Sequence, residues 1–350
     1  MKTKKIITAS LAILSLSSFL ISCDKDDTPA NPISRLYVST ADTDPIVQNL
    51  EIYDPADIST PTIMPVATGT KDGNGIIVDI STDRLFQVSR AAKSVSIFSN
   101  ASTLTGTPTA TATFTDASLS SGREIAYDKN NNTLFVANNS DSTIRVYNNA
   151  SNLSGAVTGK VLKISGQPWG IHFDAAGNRL LVLMDLAAMR IEVYNNPSSI
   201  AAGVVTSNAV LNITDRPNGG KSRLHGLTYS SSLNVLLITE IGEAAAPGTP
   251  DITKPAFNAD GGIYIIENAS AKLSAGGNIA ANRIIYGAST LLGNPVDIAF
   301  DDRNNKSLIY IAEKANKRIL TFKLSDNGNV APTTNITSTR LPEDIFLDAR

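Results

Sequence analysis

From Arg35 onward the chain is written in short apolar/polar alternations separated by Asn, Asp, Ser and Gly. The stretch Gly122 to Gly155, GREIAYDKNNNTLFVANNSDSTIRVYNNASNLSG, shows the unit most clearly. It contains three such runs, Ile125–Asp128, Leu134–Asn138 and Ile144–Tyr147. Alternation at period two predicts β-strands, and the intervening residues are those that turns require. A three-stranded unit of this kind cannot bury both faces alone, so copies of it must stack.

Copies are present. The first run recurs as Ile76–Asp79, Ile125–Asp128, Ile171–Asp174, Leu227–Ser230, Ile298–Asp301 and Ile345–Asp348, with starts 49, 46, 56, 71 and 47 residues apart. The second recurs as Arg35–Ser39, Leu85–Ser89, Leu134–Asn138, Leu180–Met184, Val235–Thr239 and Leu308–Ala312. The third recurs as Leu50–Tyr53, Val95–Phe98, Ile144–Tyr147, Ile191–Tyr194, Ile263–Ile266 and Ile319–Phe322. A weaker fourth strand follows, for example Lys160–Ile164 or Val210–Ile213. The Asp closing five of the six first runs is placed to accept backbone N–H groups of the next turn. After the third run comes a near-constant phrase, as in Asn148-Asn149-Ala150-Ser151, then Leu153 and Gly155; it predicts a tight or single helical turn with one buried Leu.

The shorter spacings match the ~40–50-residue period of propeller blades. Arg35 opens on a second-strand pattern with no first strand before it, and Leu341–Arg350 supplies a first strand with nothing after it. The two ends are therefore expected to pair and close an all-β, six-bladed propeller over residues 35–350, removing a free sheet edge. Seven blades would require a degenerate repeat between Leu227 and Ile298. That interval instead holds a Pro-, Ala- and Gly-rich insertion between Glu240 and Gly262, expected to be a lid or binding loop or a tolerated excursion. The blade pattern resembles the six-bladed propellers of the NHL, YVTN-like and SMP-30-like lineages.

The amino terminus reads as an address. Lys2, Lys4 and Lys5 precede an apolar run from Ile6 to Ile21, short for a membrane span and suited to a signal peptide over residues 1–22. Leu20-Ile21-Ser22-Cys23 resembles a bacterial lipobox, which implies acylation of Cys23 (palmitate or a similar chain) and a membrane anchor. Asp24-Lys25-Asp26-Asp27 resembles the export signal of Bacteroidetes surface lipoproteins. That implies an outer-membrane protein facing outward, the alternative facing the periplasm. Residues 23–34 are then a tether. Cys23 is the chain's one cysteine, so no internal disulfide or thiolate metal site exists. Loss of the leader takes three lysines, leaving 27 basic against 32 acidic residues, a net charge of −5. With no basic run, nucleic acid is not an expected partner.

Candidate chemistry lies at the blade corners. Asn74, Arg123 with Glu124, Trp169, His225, Asp297, and Glu343 with Asp344 precede the first strands. Thr40, Arg90, Asn138, Asp185, Glu240 and Glu313 end or follow the second. The polar identities change from blade to blade while the apolar neighbours do not, which predicts a shared ligand site on this top face, set against a simple solvated rim. The expected ligand-binding residues are Arg90, Arg123, Glu124, Asn138, Trp169, Asp185, His225, Glu240, Asp297, Glu313 and Glu343. Trp169 is expected to stack on a sugar ring or serve as a core wedge. Of the two histidines, His172 is expected in the core and His225 at the channel entrance, the weak candidate for acid–base catalysis. SMP-30-like lactonases bind a divalent cation. By that resemblance Glu124, Asn138, Asp185 and Asp297 are weak candidates for Ca²⁺, but the family's motif is not matched residue by residue. The leading expectation is a binding module for an envelope protein, small molecule or glycan. The rivals are a metal-dependent lactonase-like hydrolase and a structural scaffold of a surface complex. No catalytic Cys, Gly-x-Ser-x-Gly or phosphate loop is present.

Overall fold

The computed structural model describes residues 33–44, 47–186, 188–217, 223–242, 260–303 and 306–350. The expected leader, Cys23, nearly all of the tether and most of the 241–261 insertion lie outside these residues.

The described chain forms six sheets arranged as a propeller, each built on four antiparallel strands. From the axis outward, blade one is Pro342–Ala349, Ser34–Thr40, Leu50–Asp54 and Thr62–Val66. Blades two to six follow in chain order, their inner strands being Gly73–Asp79, Gly122–Asp128, Pro168–Asp174, Arg223–Ser230 and Pro295–Asp301. Closure by the carboxy-terminal strand is as the ends of the sequence predict. Ser34 to Ser39 pair antiparallel with Ala349 to Asp344.

The core lies between blades. Each interface holds one apolar cluster, and successive residues of a strand feed opposite clusters. Leu181 and Leu183 pack toward blade five, while Leu180, Val182 and Met184 pack toward blade three. A strand buried on both faces reads as a continuous apolar run, which is why Leu180 to Met184 shows no alternation.

Local chemistry sets the turns. Asp128 accepts the backbone N–H groups of Asn130 and Asn131, and Asp174 those of Ala176 and Gly177, in the expected Asx geometry. Asn100, Asn149, Asn196 and Asn268 of the recurrent phrase are left-handed, with φ between 50° and 58°, and open a helical turn. Asn tolerates that region better than branched residues do. Gly155, at φ 68°, continues into a short strand that runs parallel to Phe114–Thr115 of the preceding blade. Gly203–Val204 and Gly277–Ile279 do the same for the next two blades, so segments read as turns also cover outer edges.

Candidate functional site on the propeller axis

Each inner strand begins earlier than its alternation suggests and carries a bulge. Register shifts fall between Gly73 and Ile76, Gly122 and Ile125, Pro168 and Ile171, and Leu224 and Leu227. A bulge re-aims the side chains within it. The expected corner residues therefore belong to strands rather than to loops, and they form two tiers around the axis.

The upper tier holds Asn74, Arg123, Trp169, His225 and Glu343. The Trp169 and His225 rings stack with centroids 3.8 Å apart and planes 9° apart. The Arg123 guanidinium lies 4.0 Å over the indole. Trp169 is 8% exposed and His225 2%. The expected open indole is thus covered by His225 and Arg123 and is not free to stack on a sugar. Arg123 Nη1 donates to Asn74 Oδ1 at 3.2 Å and sits 3.5 Å from Glu343, which also pairs with Lys314. Asp185 stands 3.7 Å from His225 Nε2 and 3.4 Å from Arg223 Nε.

Burial governs the electrostatics here. It lowers the Arg123 guanidinium to about 10. It drives His225 well below the ordinary imidazole range, helped by Arg223, Arg123 and Lys314, so the ring is neutral. Burial alone would raise Glu343, but Lys314 and Arg123 hold it below its usual value. Asp185 is raised by burial against the pull of Arg223. Arg123 Nε, Arg223 Nε, Asp185 Oδ2 and both His225 nitrogens are buried without a hydrogen-bond partner.

The lower tier is one residue further along. There Gly75, Glu124, Gly170, Gly226, Asp297 and Asp344 precede the six Ile or Leu residues. The glycines mark where inner strands crowd the axis: a Cβ on Gly170 would lie 2.3 Å from the His225 carbonyl oxygen. The acids reach across to the neighbouring blade. Asp344 Oδ1 accepts Ile76 N–H at 3.2 Å, Glu124 Oε2 accepts Ile171 N–H at 2.9 Å, and Asp297 Oδ2 accepts Ile345 N–H at 2.7 Å. One oxygen from each carboxylate lies within 4.8 Å of the others. Glu124 Oε1 and Asp344 Oδ2 have no partner. Burial raises all three: Asp297 to about 7, and Glu124 and Asp344 well above the usual range, where neighbouring carboxylates add to the effect.

Below the acids runs a cavity of about 290 Å³. Its wall passes from buried Ile76, Ile125 and Ile171 to half-buried Tyr127, Phe173, Phe300 and Phe346. Its lining comes from the acid tier and the residues that follow it along the inner strands, so the cavity lies on the carboxy-terminal side of the acids, away from the expected face. His225 lies in the upper tier at the end of the axis where it is expected, but buried, and His172, expected in the core, is half-buried against the cavity. His172 lines the cavity, edge-on to Tyr229, and burial lowers its pKa to about 4. His225 is the packed one.

The remaining candidates do other work. Asn138 accepts Ser121 N–H at 2.8 Å, and Glu313 accepts the N–H groups of Asn294 and Asn316 at 2.5 and 2.6 Å. Glu240 is buried against Arg216 and Tyr264. Arg90, partly exposed, pairs with Asp72. Of the four weak metal candidates, Glu124 and Asp297 converge, joined by Asp344. Asn138 and Asp185 are engaged elsewhere.

No protein-family model matches this chain, and no curated protein does. Solved structures do. A chain of a nidogen/laminin complex is similar over 90% of this chain and 98% of its own, at 14% identity and a TM-score of 0.59. A putative 6-phosphogluconolactonase from Bacteroides fragilis aligns over 92% and 100%, at 12% identity and TM-score 0.58. A periplasmic gluconolactonase of Pseudomonas aeruginosa aligns over 90% and 99%, at 12% identity and TM-score 0.56. At these identities the likeness is one of fold.

Proposed function

We propose that the chain is a lipid-anchored propeller of the bacterial cell envelope, held in the outer membrane through Cys23, that binds a polar ligand at its top tier. The unpartnered buried polar atoms of Arg123, Asp185, Arg223 and His225 carry this reading. An unmade buried hydrogen bond costs about 1–3 kcal/mol, so such a group is poised for a polar molecule to complete it. Charge sets the preference. Arg90, Arg123, Arg223 and Lys314 face Asp72, Asp185 and Glu343, an excess of one positive charge that suits a carboxylate- or sulfate-bearing glycan or small molecule. Calorimetry against uronic acids, sulfated sugars and their neutral parents tests it. The anionic members bind and lose at least tenfold affinity in Arg223→Ala. Equal binding of neutral and anionic sugars, or none, contradicts it.

A lactonase-like hydrolase is the second reading. The fold likeness to proteins titled as gluconolactonases supports it, as does the convergence of Glu124, Asp297 and Asp344. Calcium takes six to eight oxygens. Each of the three carboxylates already gives one oxygen to a strand N–H, and the three left among Ile and Gly neighbours fall short of that set. Calcium-dependent turnover across a lactone panel would establish this reading instead.

A further inference from the structure

The lower tier and its cavity are separate in chemistry from the top tier. We infer that the axial cavity is a second binding site, for an organic ammonium: a primary amine carrying an apolar or aromatic body, entering from the face opposite the top tier. Three features of the site converge on that ligand.

The first is the floor. Glu124, Asp297 and Asp344 are 6%, 4% and 4% exposed and line the cavity, and Glu124 Oε1 and Asp344 Oδ2 accept no hydrogen bond. Burial and mutual repulsion favour the protonated form of these acids, and a cation bound among them favours the ionised form. An ammonium brings three donors and no acceptor. Donors at ~2.8 Å in tetrahedral directions need acceptors about 4.6 Å apart. The three carboxylate oxygens lie within 4.8 Å of one another, inside the reach of one ammonium.

The second is the wall. Ile77, Ala126, Phe173, Ala299, Phe300 and Phe346 offer a hard, hydrated metal ion nothing. They do offer apolar and aromatic contact to a ligand body. The third is size. The cavity's 290 Å³ is room for about ten waters at ~30 Å³ each, far more than one ion fills and enough for a small arylalkyl amine.

The test is calorimetry and thermal shift of the whole protein with 2-phenylethylamine, its neutral counterpart 2-phenylethanol, and calcium chloride. The amine binds at least tenfold more tightly than the alcohol, and Glu124→Gln with Asp344→Asn removes that preference. Those acids also tie blades together, so Thr228→Tyr provides a second arm. Thr228 lines the cavity away from the carboxylates, and the larger ring fills the space and abolishes amine binding without touching the floor. Equal affinity for amine and alcohol overturns the inference. So does a response to calcium with none to amine, or amine binding that survives Thr228→Tyr. Anionic-sugar binding at the top tier is unaffected by Thr228→Tyr, so failure of either proposal is read apart from the other.

Discussion

Asp344, six residues before the last residue of the chain, accepts the backbone N–H of Ile76 at 3.2 Å across a blade boundary. The segment that closes the ring thus also supplies one of the three acids on its axis. Fold closure and site assembly are one event.

Truncation before Pro342 tests this. It removes the strand paired with Ser34–Thr40, together with buried Ile345, and leaves an inner gap facing two blades. The truncated protein is expected to lose its cooperative thermal transition by calorimetry. A single transition near the parent melting temperature would contradict closure.

The acid ring gives a pH dependence of defined sign. The folded chain keeps protons on Asp297 that the unfolded chain has released, so this group's contribution to stability falls as pH rises from about 4 to about 7. His172 acts oppositely: its neutral folded form costs stability as pH falls from about 6.5 toward 4. Asp297→Asn separates the two, because its amide oxygen can still accept Ile345 N–H. Relative to the parent, the variant should gain about 1–3 kcal/mol between pH 4 and pH 8 in denaturant melts. A difference that does not change with pH would contradict the raised carboxyl.

Gly170→Ala should destabilise by about 1–3 kcal/mol, since its methyl group meets the His225 carbonyl oxygen and the inner strands must part. Chemical denaturation measures it. A neutral effect would mean that the axis is looser than described.

Trp169 is the chain's one tryptophan and a built-in probe. Covered by Arg123 and His225, it should resist acrylamide quenching. Arg123→Ala uncovers one indole face and should raise the quenching constant about twofold or more, in line with the contact it removes. Easy quenching of the parent protein would place the indole in solvent.

The blades were legible in the sequence because their physics is local. Alternation marks strands, Asp at strand ends marks Asx turns, and Asn149 and its counterparts mark left-handed residues. Arg35–Ser39 without an inner strand and Ile345–Asp348 without an outer one announced closure. The axis was less legible. Asp297 and Asp344 are 47 residues apart and Glu124 is 173 from Asp297, so they meet only through the ring. A signal existed: glycine or acid occupies the position before each inner Ile or Leu, from Gly75 to Asp344. Bulges hid it, because they place Arg123 and Glu124 in different tiers although the two are adjacent in one strand. The histidines show the same effect. Position along the inner strand, not proximity to its start, decides which of them meets the cavity.

The most direct measurement is a crystal structure of the protein soaked with 2-phenylethylamine. The account predicts elongated density along the axis, its nitrogen within hydrogen-bonding distance of Glu124, Asp297 and Asp344 and its ring against Phe173 or Phe300. Carboxylates splayed apart, or a single spherical metal peak between them with the cavity below holding only water, would contradict it.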